Sequence, residues 1–127
     1  MTSFQQQNWP RKFANAIRGI LVAVKTQVSF WVHLFCALIV LALAIWLRVS
    51  LTEALLLGLC VTIVFVAEVM NTSIEFLSRQ VTDEESGLVK DSLDVAAGGV
   101  LLAAIGSVLV GLAIFIPKLL KMFPGEG

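Results

Sequence analysis

Glu68, Asn71 and Glu75 fall at i, i+3 and i+7 in an otherwise apolar stretch, which places all three on one face of a helix. A carboxylate at membrane depth is costly unless it has a partner or a task. Asp94 follows Glu75 by nineteen residues, across a polar loop, and opens the next apolar run at a similar depth. Three carboxylates and an amide at one end of a bundle suit two jobs. One is holding Mg²⁺ through a few carboxylate oxygens together with phosphates; the other is taking a proton from a hydroxyl. Interhelical hydrogen bonding and an ion path are the competing readings. An ion path would have to continue across the membrane, yet beyond Glu68 its helix offers only Thr62 and glycine, and the next only Ser107. The polar set stops partway, which favours a site open to one side.

The elements that position this set are helices. Trp9-Pro10 opens the first, because proline fits the first turn, where its missing N–H is not needed. Phe13, Ile17, Ile20 and Val24 then recur at helical spacing, with Arg11, Asn15, Arg18 and Lys25 opposite. That pattern predicts an amphipathic helix over 9–26 lying in a membrane interface; a soluble partner-binding helix is the alternative. Three apolar spans follow, at about 30–47, 53–79 and 88–117, each long enough to cross a bilayer. Val95 to Pro117 carries no charge over 23 residues. Gly99, Ala103, Ser107 and Gly111 repeat at i, i+4 in the last span, a stripe that lets backbones approach within one chain or between chains. Trp9, Trp31 and Trp46 sit where interfacial anchors belong. His33, near the start of the first span, reads as a hydrogen-bonded structural residue ahead of a catalytic one.

Composition agrees. The chain of 127 residues is 58% hydrophobic and only 14% charged, against roughly a quarter charged in soluble domains. It reads as one membrane-embedded domain over 1–127, an all-α membrane protein. Nine basic residues are balanced by nine acidic ones and scattered, leaving no nucleic-acid footprint. Cys36 and Cys60 lie in apolar runs with no metal spacing and read as small fillers. Met1 to Gln7 is polar and lacks the apolar core of a cleavable signal, so the mature protein is expected to be the whole chain. Basic residues near the spans put the N-terminus and the acidic loop in the cytoplasm; Lys118 and Lys121 pull weakly the other way.

Glu68-Val-Met-Asn-Thr-Ser-Ile-Glu75 resembles the E-x-x-N-S/T-A/S-I-E signature of the prokaryotic integral-membrane diacylglycerol kinase and undecaprenol kinase family. Asp94-Val-Ala-Ala-Gly-Gly-Val resembles the start of that family's third span. Ala16-Ile-Arg18-Gly19, and Lys25-Thr26-Gln27 followed by Phe30 and His33, also fit its pattern. The resemblance covers nearly the whole chain. It implies ATP-dependent phosphorylation of a lipid alcohol, diacylglycerol or undecaprenol, by a homotrimer at the cytoplasmic surface of the inner membrane, with Mg²⁺. By carry-over, Glu68 is the general base and Asn71 helps to position the lipid hydroxyl. Glu75 and Gln27 hold the metal, while Asn15, Gln27, Glu75, Glu84, Glu85, Ser86, Lys90 and Asp94 contact the nucleotide.

Two positions depart from the family pattern. Gln27 stands where a second metal-binding glutamate is usual, and Leu93 where a lysine is usual. Gln27 offers a carbonyl oxygen without charge, and Leu93 offers a phosphate nothing. Lys90, one turn earlier, is the candidate substitute, with Lys25 and Arg18 as further cations. The departures motivate an alternative: an impaired kinase fold that binds lipid or nucleotide without turnover. An oligomeric ion conduit is the third reading.

Overall fold

Long unbroken apolar runs can satisfy their backbone groups in lipid only as helices, and the computed structural model is built from four. It describes residues 8–81 and 87–125. In chain order they are α1 (Trp9–Thr26), α2 (Val28–Trp46), α3 (Leu51–Val81) and α4 (Gly87–Met122). The last three are long and apolar enough to cross a membrane.

Helix α1 starts where Asn8 caps it, its side chain accepting from the Arg11 N–H at 3.2 Å, with Pro10 in the first turn. Only Ala23 is buried; Trp9, Phe13, Ile17 and Ile20 remain exposed, as an interfacial apolar face requires. The helix ends at Gln27, an extended residue that separates α1 from α2. The Trp31 indole donates to the Val24 carbonyl at 2.9 Å, satisfying one of the acceptors that a helix C-terminus leaves open.

The turn between α2 and α3 is a Schellman motif with an unusual occupant. The Arg48 N–H donates to the Ile45 carbonyl and the Val49 N–H to the Ala44 carbonyl, while Arg48 takes the left-handed φ of 52° that glycine normally supplies. Ser50 and Glu53 then form a capping box. The Glu53 N–H donates to the Ser50 hydroxyl, and the Ser50 N–H donates to the Glu53 carboxylate at 2.9 Å. Lys118 of α4 closes on the same carboxylate at 3.0 Å.

The spans exceed their expected bounds at most ends, because the helices continue past the apolar windows that reveal them. Pro117 was expected to end the last span; instead α4 runs through it to Met122, which transmembrane helices tolerate. Helix α4 packs chiefly on α3. The Ser107 hydroxyl lies 2.8 Å from the Ala103 carbonyl and 3.3 Å from the Cys60 carbonyl, so this part of the small-residue stripe serves packing within the chain. The buried cluster of Leu47, Leu57, Ile114 and Phe115 sits at the end of the bundle away from Glu68, Asn71 and Glu75.

Candidate active site

Helix α2 has 19 residues, about 28 Å, barely the thickness of the hydrocarbon core. Its first turn therefore marks one membrane boundary, on the N-terminal side. The Ser29 hydroxyl of that turn donates to Glu68 Oε1, and His33 Nε2, one turn on, lies 3.4 Å from Glu68 Oε2. Glu68 is 3% exposed. A buried carboxylate thus sits level with the membrane boundary, faced on both oxygens by α2. Phe30 and Phe65, with ring centroids 4.8 Å apart, fix the register between the two helices.

Helix α3 has 31 residues, about 46 Å, and carries the rest of the set outward past that boundary. Thr72 donates back to the Glu68 carbonyl at 2.9 Å. The Asn71 amide donates to Glu75 Oε1 at 3.0 Å. Glu75, two turns beyond Glu68, lies about 10 Å further along the axis. Gln27 is at the α1–α2 elbow, two residues before Ser29, and its side chain does not cap α2.

Asp94 is exposed and takes Lys90 as its partner, Nζ to Oδ2 at 2.8 Å, instead of joining Glu68 and Glu75. Asn15 is exposed on α1. Glu84, Glu85 and Ser86 fall outside the described residues. Among the described residues no three of His, Cys, Asp and Glu gather closely enough to hold a metal ion by themselves. Ser29 was not foreseen. Its signal is present in hindsight: Ser29 and His33 are four apart at the start of a span, so they share a face.

From His33 an apolar groove of about 300 Å³ runs between α2, α3 and α4, past Cys36, Cys60, Ser107 and Gly111 to Phe115. Its lining on α2 extends to Leu43, about 15 Å along the helix. The groove therefore leads from the far half of the membrane to His33, which faces the buried carboxylate.

A buried carboxylate at a membrane boundary, with an apolar groove on one side and further oxygen donors on the other, is an arrangement suited to one class: enzymes acting on the polar head of a lipid. The chain matches the model of the prokaryotic diacylglycerol kinase family over residues 14–115 and belongs to that family. It is a membrane lipid kinase. It is 35% identical over 109 residues to an undecaprenol kinase of Bacillus subtilis (strain 168), covering 86% of this chain and 89% of the relative. It is 34% identical over 111 residues to a diacylglycerol kinase of Synechocystis sp. (strain ATCC 27184 / PCC 6803 / Kazusa), covering 87% of this chain and 63% of that longer relative.

Proposed function

We propose that this kinase transfers the γ-phosphoryl group of ATP to the hydroxyl of a membrane lipid alcohol, undecaprenol or diacylglycerol. The reaction takes place at the cytoplasmic surface of the inner membrane, with the N-terminus on that side. The observation that carries the reading is Glu68: a buried carboxylate at the membrane boundary, faced by the His33 that heads the apolar groove. A lipid tail in the groove delivers its hydroxyl there. Glu68 takes the hydroxyl proton as the oxygen bonds to the γ-phosphorus and the bond to the bridging β–γ oxygen breaks, releasing ADP. Asn71, on the same face, orients the hydroxyl.

The donor set suits Mg²⁺, which is commonly held by one or two carboxylates plus substrate phosphates. Glu75 supplies the carboxylate, oriented by Asn71, and Gln27 a neutral oxygen. When bound, the ion neutralises charge on the transferring phosphoryl group. Lys90, Asp94, Asn15, Glu84, Glu85 and Ser86 complete the nucleotide side. Lys118 is paired with Glu53 on the opposite side of the membrane, which weakens its pull against the proposed orientation.

A homotrimer is part of the proposal. Leu56, Leu59, Ile63, Val66, Met70 and Leu77 of α3 follow a 3–4–3–4 rhythm, with Ser73 continuing the seam. The six are 46–65% exposed in the single chain. A heptad seam is the pattern by which helices wind around one another, and α3 is the element on which such a seam centres an assembly.

Gln27 and Leu93 favour a second reading, a kinase fold that binds lipid or nucleotide without turnover. Phosphate transfer from labelled ATP to each lipid in mixed micelles separates the two: turnover establishes the kinase reaction and names the lipid, whereas ATP binding without turnover supports the second.

A further inference from the structure

We propose that Ser29 and His33 are the positioning residues that hold the Glu68 carboxylate in its reactive orientation, an inference that rests on Glu68 being the proton acceptor. The two belong to α2 while the carboxylate belongs to α3, so the reactive geometry is assembled across a helix–helix contact. Ser29 donates to Oε1 and His33 Nε2 faces Oε2 at 3.4 Å. A carboxylate has about four lone-pair sites. One partner on each oxygen fixes the carboxylate plane and still leaves each oxygen an acceptor site for the lipid hydroxyl.

Three observations make this more than burial. Glu68 is the sole charged side chain among the buried described residues, and an ionised group so placed needs polar partners. Those partners come from α2; the Thr72 hydroxyl beside it is spent on the Glu68 backbone carbonyl. The partners' own helix is fixed from two sides. The Phe30–Phe65 stack lies between Ser29 and His33 in sequence, and the Trp31 indole ties the same turn to the Val24 carbonyl of α1. Finally, His33 both touches Glu68 and lines the groove. A hydroxyl arriving along that groove meets a carboxylate already aimed at it.

The test uses the full chain in mixed micelles, with labelled ATP and undecaprenol or diacylglycerol, and compares Ser29→Ala, His33→Leu, His33→Gln and Glu68→Gln. Misorientation of a reacting group is expressed in kcat. Ser29→Ala and His33→Leu are expected to lower kcat at least about tenfold with KM for MgATP changed by no more than about twofold. His33→Gln, which can return an amide N–H to the position of Nε2, is expected to recover most of the loss. Wild-type kcat in both Ser29→Ala and His33→Leu, with Glu68→Gln inactive, overturns the positioning role and leaves the proton acceptor standing. Wild-type turnover in Glu68→Gln removes the proton-acceptor reading itself. If His33→Leu does not fold, Ser29→Ala decides by the same kcat criterion.

Discussion

Ser29, in the first turn of α2, gives its hydroxyl hydrogen to the carboxylate of Glu68, 39 residues later and on a different helix. That single bond sets the depth of the site. A helix barely long enough to span has its first turn at the membrane boundary, so its partner carboxylate is there too. Asn71 and Glu75 lie further along α3, beyond that boundary, on the side where the proposed nucleotide would be met. On the proposed reading, the lipid side and the nucleotide side of the reaction are separated along one helix.

On the proposed reading, Glu75 and Gln27 hold the metal. Glu75→Gln removes the charge proposed to hold Mg²⁺, and the Mg²⁺ concentration for half-maximal activity should rise at least about tenfold. An unchanged Mg²⁺ titration would remove Glu75 from that role.

Gln27→Glu tests the departure from the family pattern in the opposite direction. A second carboxylate at the α1–α2 elbow should lower the Mg²⁺ concentration needed. The same titration checks it, and a higher requirement would show that Gln27 does not face the metal.

The seam on α3 predicts where chains touch. In a background lacking Cys36 and Cys60, cysteine at Ile63 or Met70 should form disulfide-linked dimers under mild oxidation, seen by non-reducing gel electrophoresis. Cysteine at Leu41 of α2, exposed but off the seam, should not. Cross-linking at Leu41 alone would place the interface elsewhere.

Arg48 predicts a stability effect remote from the site. A β-branched residue is poorly accommodated at a left-handed φ, so Arg48→Val should destabilise by about 1–2 kcal/mol while Arg48→Gly does not. Thermal unfolding in detergent measures both, and activity below the transition should be unaffected. Equal stability of the two variants would contradict the strain argument.

How far the sequence reveals this molecule depends on the interaction concerned. The start of α1 is legible, because Pro10 is a local signal. The spans are legible as spans but not in length: hydropathy fades at the headgroups while hydrogen bonding carries α3 to Val81 and α4 to Met122. Glu68, Asn71 and Glu75 stand out because polar groups are conspicuous in an apolar run. Ser29 does not, since a serine near a helix start is ordinary and its meaning comes from a partner 39 positions away. Asp94 illustrates the converse. Its spacing suggests convergence with Glu75, yet an i, i+4 neighbour, Lys90, is the partner it takes. The Glu53–Lys118 pair likewise requires knowing that α3 and α4 run antiparallel.

Glu68 is proposed to accept the proton of a lipid hydroxyl during phosphoryl transfer. The most direct measurement is transfer of labelled phosphate from ATP to undecaprenol and to diacylglycerol in mixed micelles, wild type against Glu68→Gln. We predict transfer to one of these lipids by the wild type and a loss of at least about a hundredfold in the variant, with its helicity and ATP binding retained. Undiminished transfer in a folded Glu68→Gln, or wild-type protein that binds ATP and phosphorylates neither lipid, would contradict it.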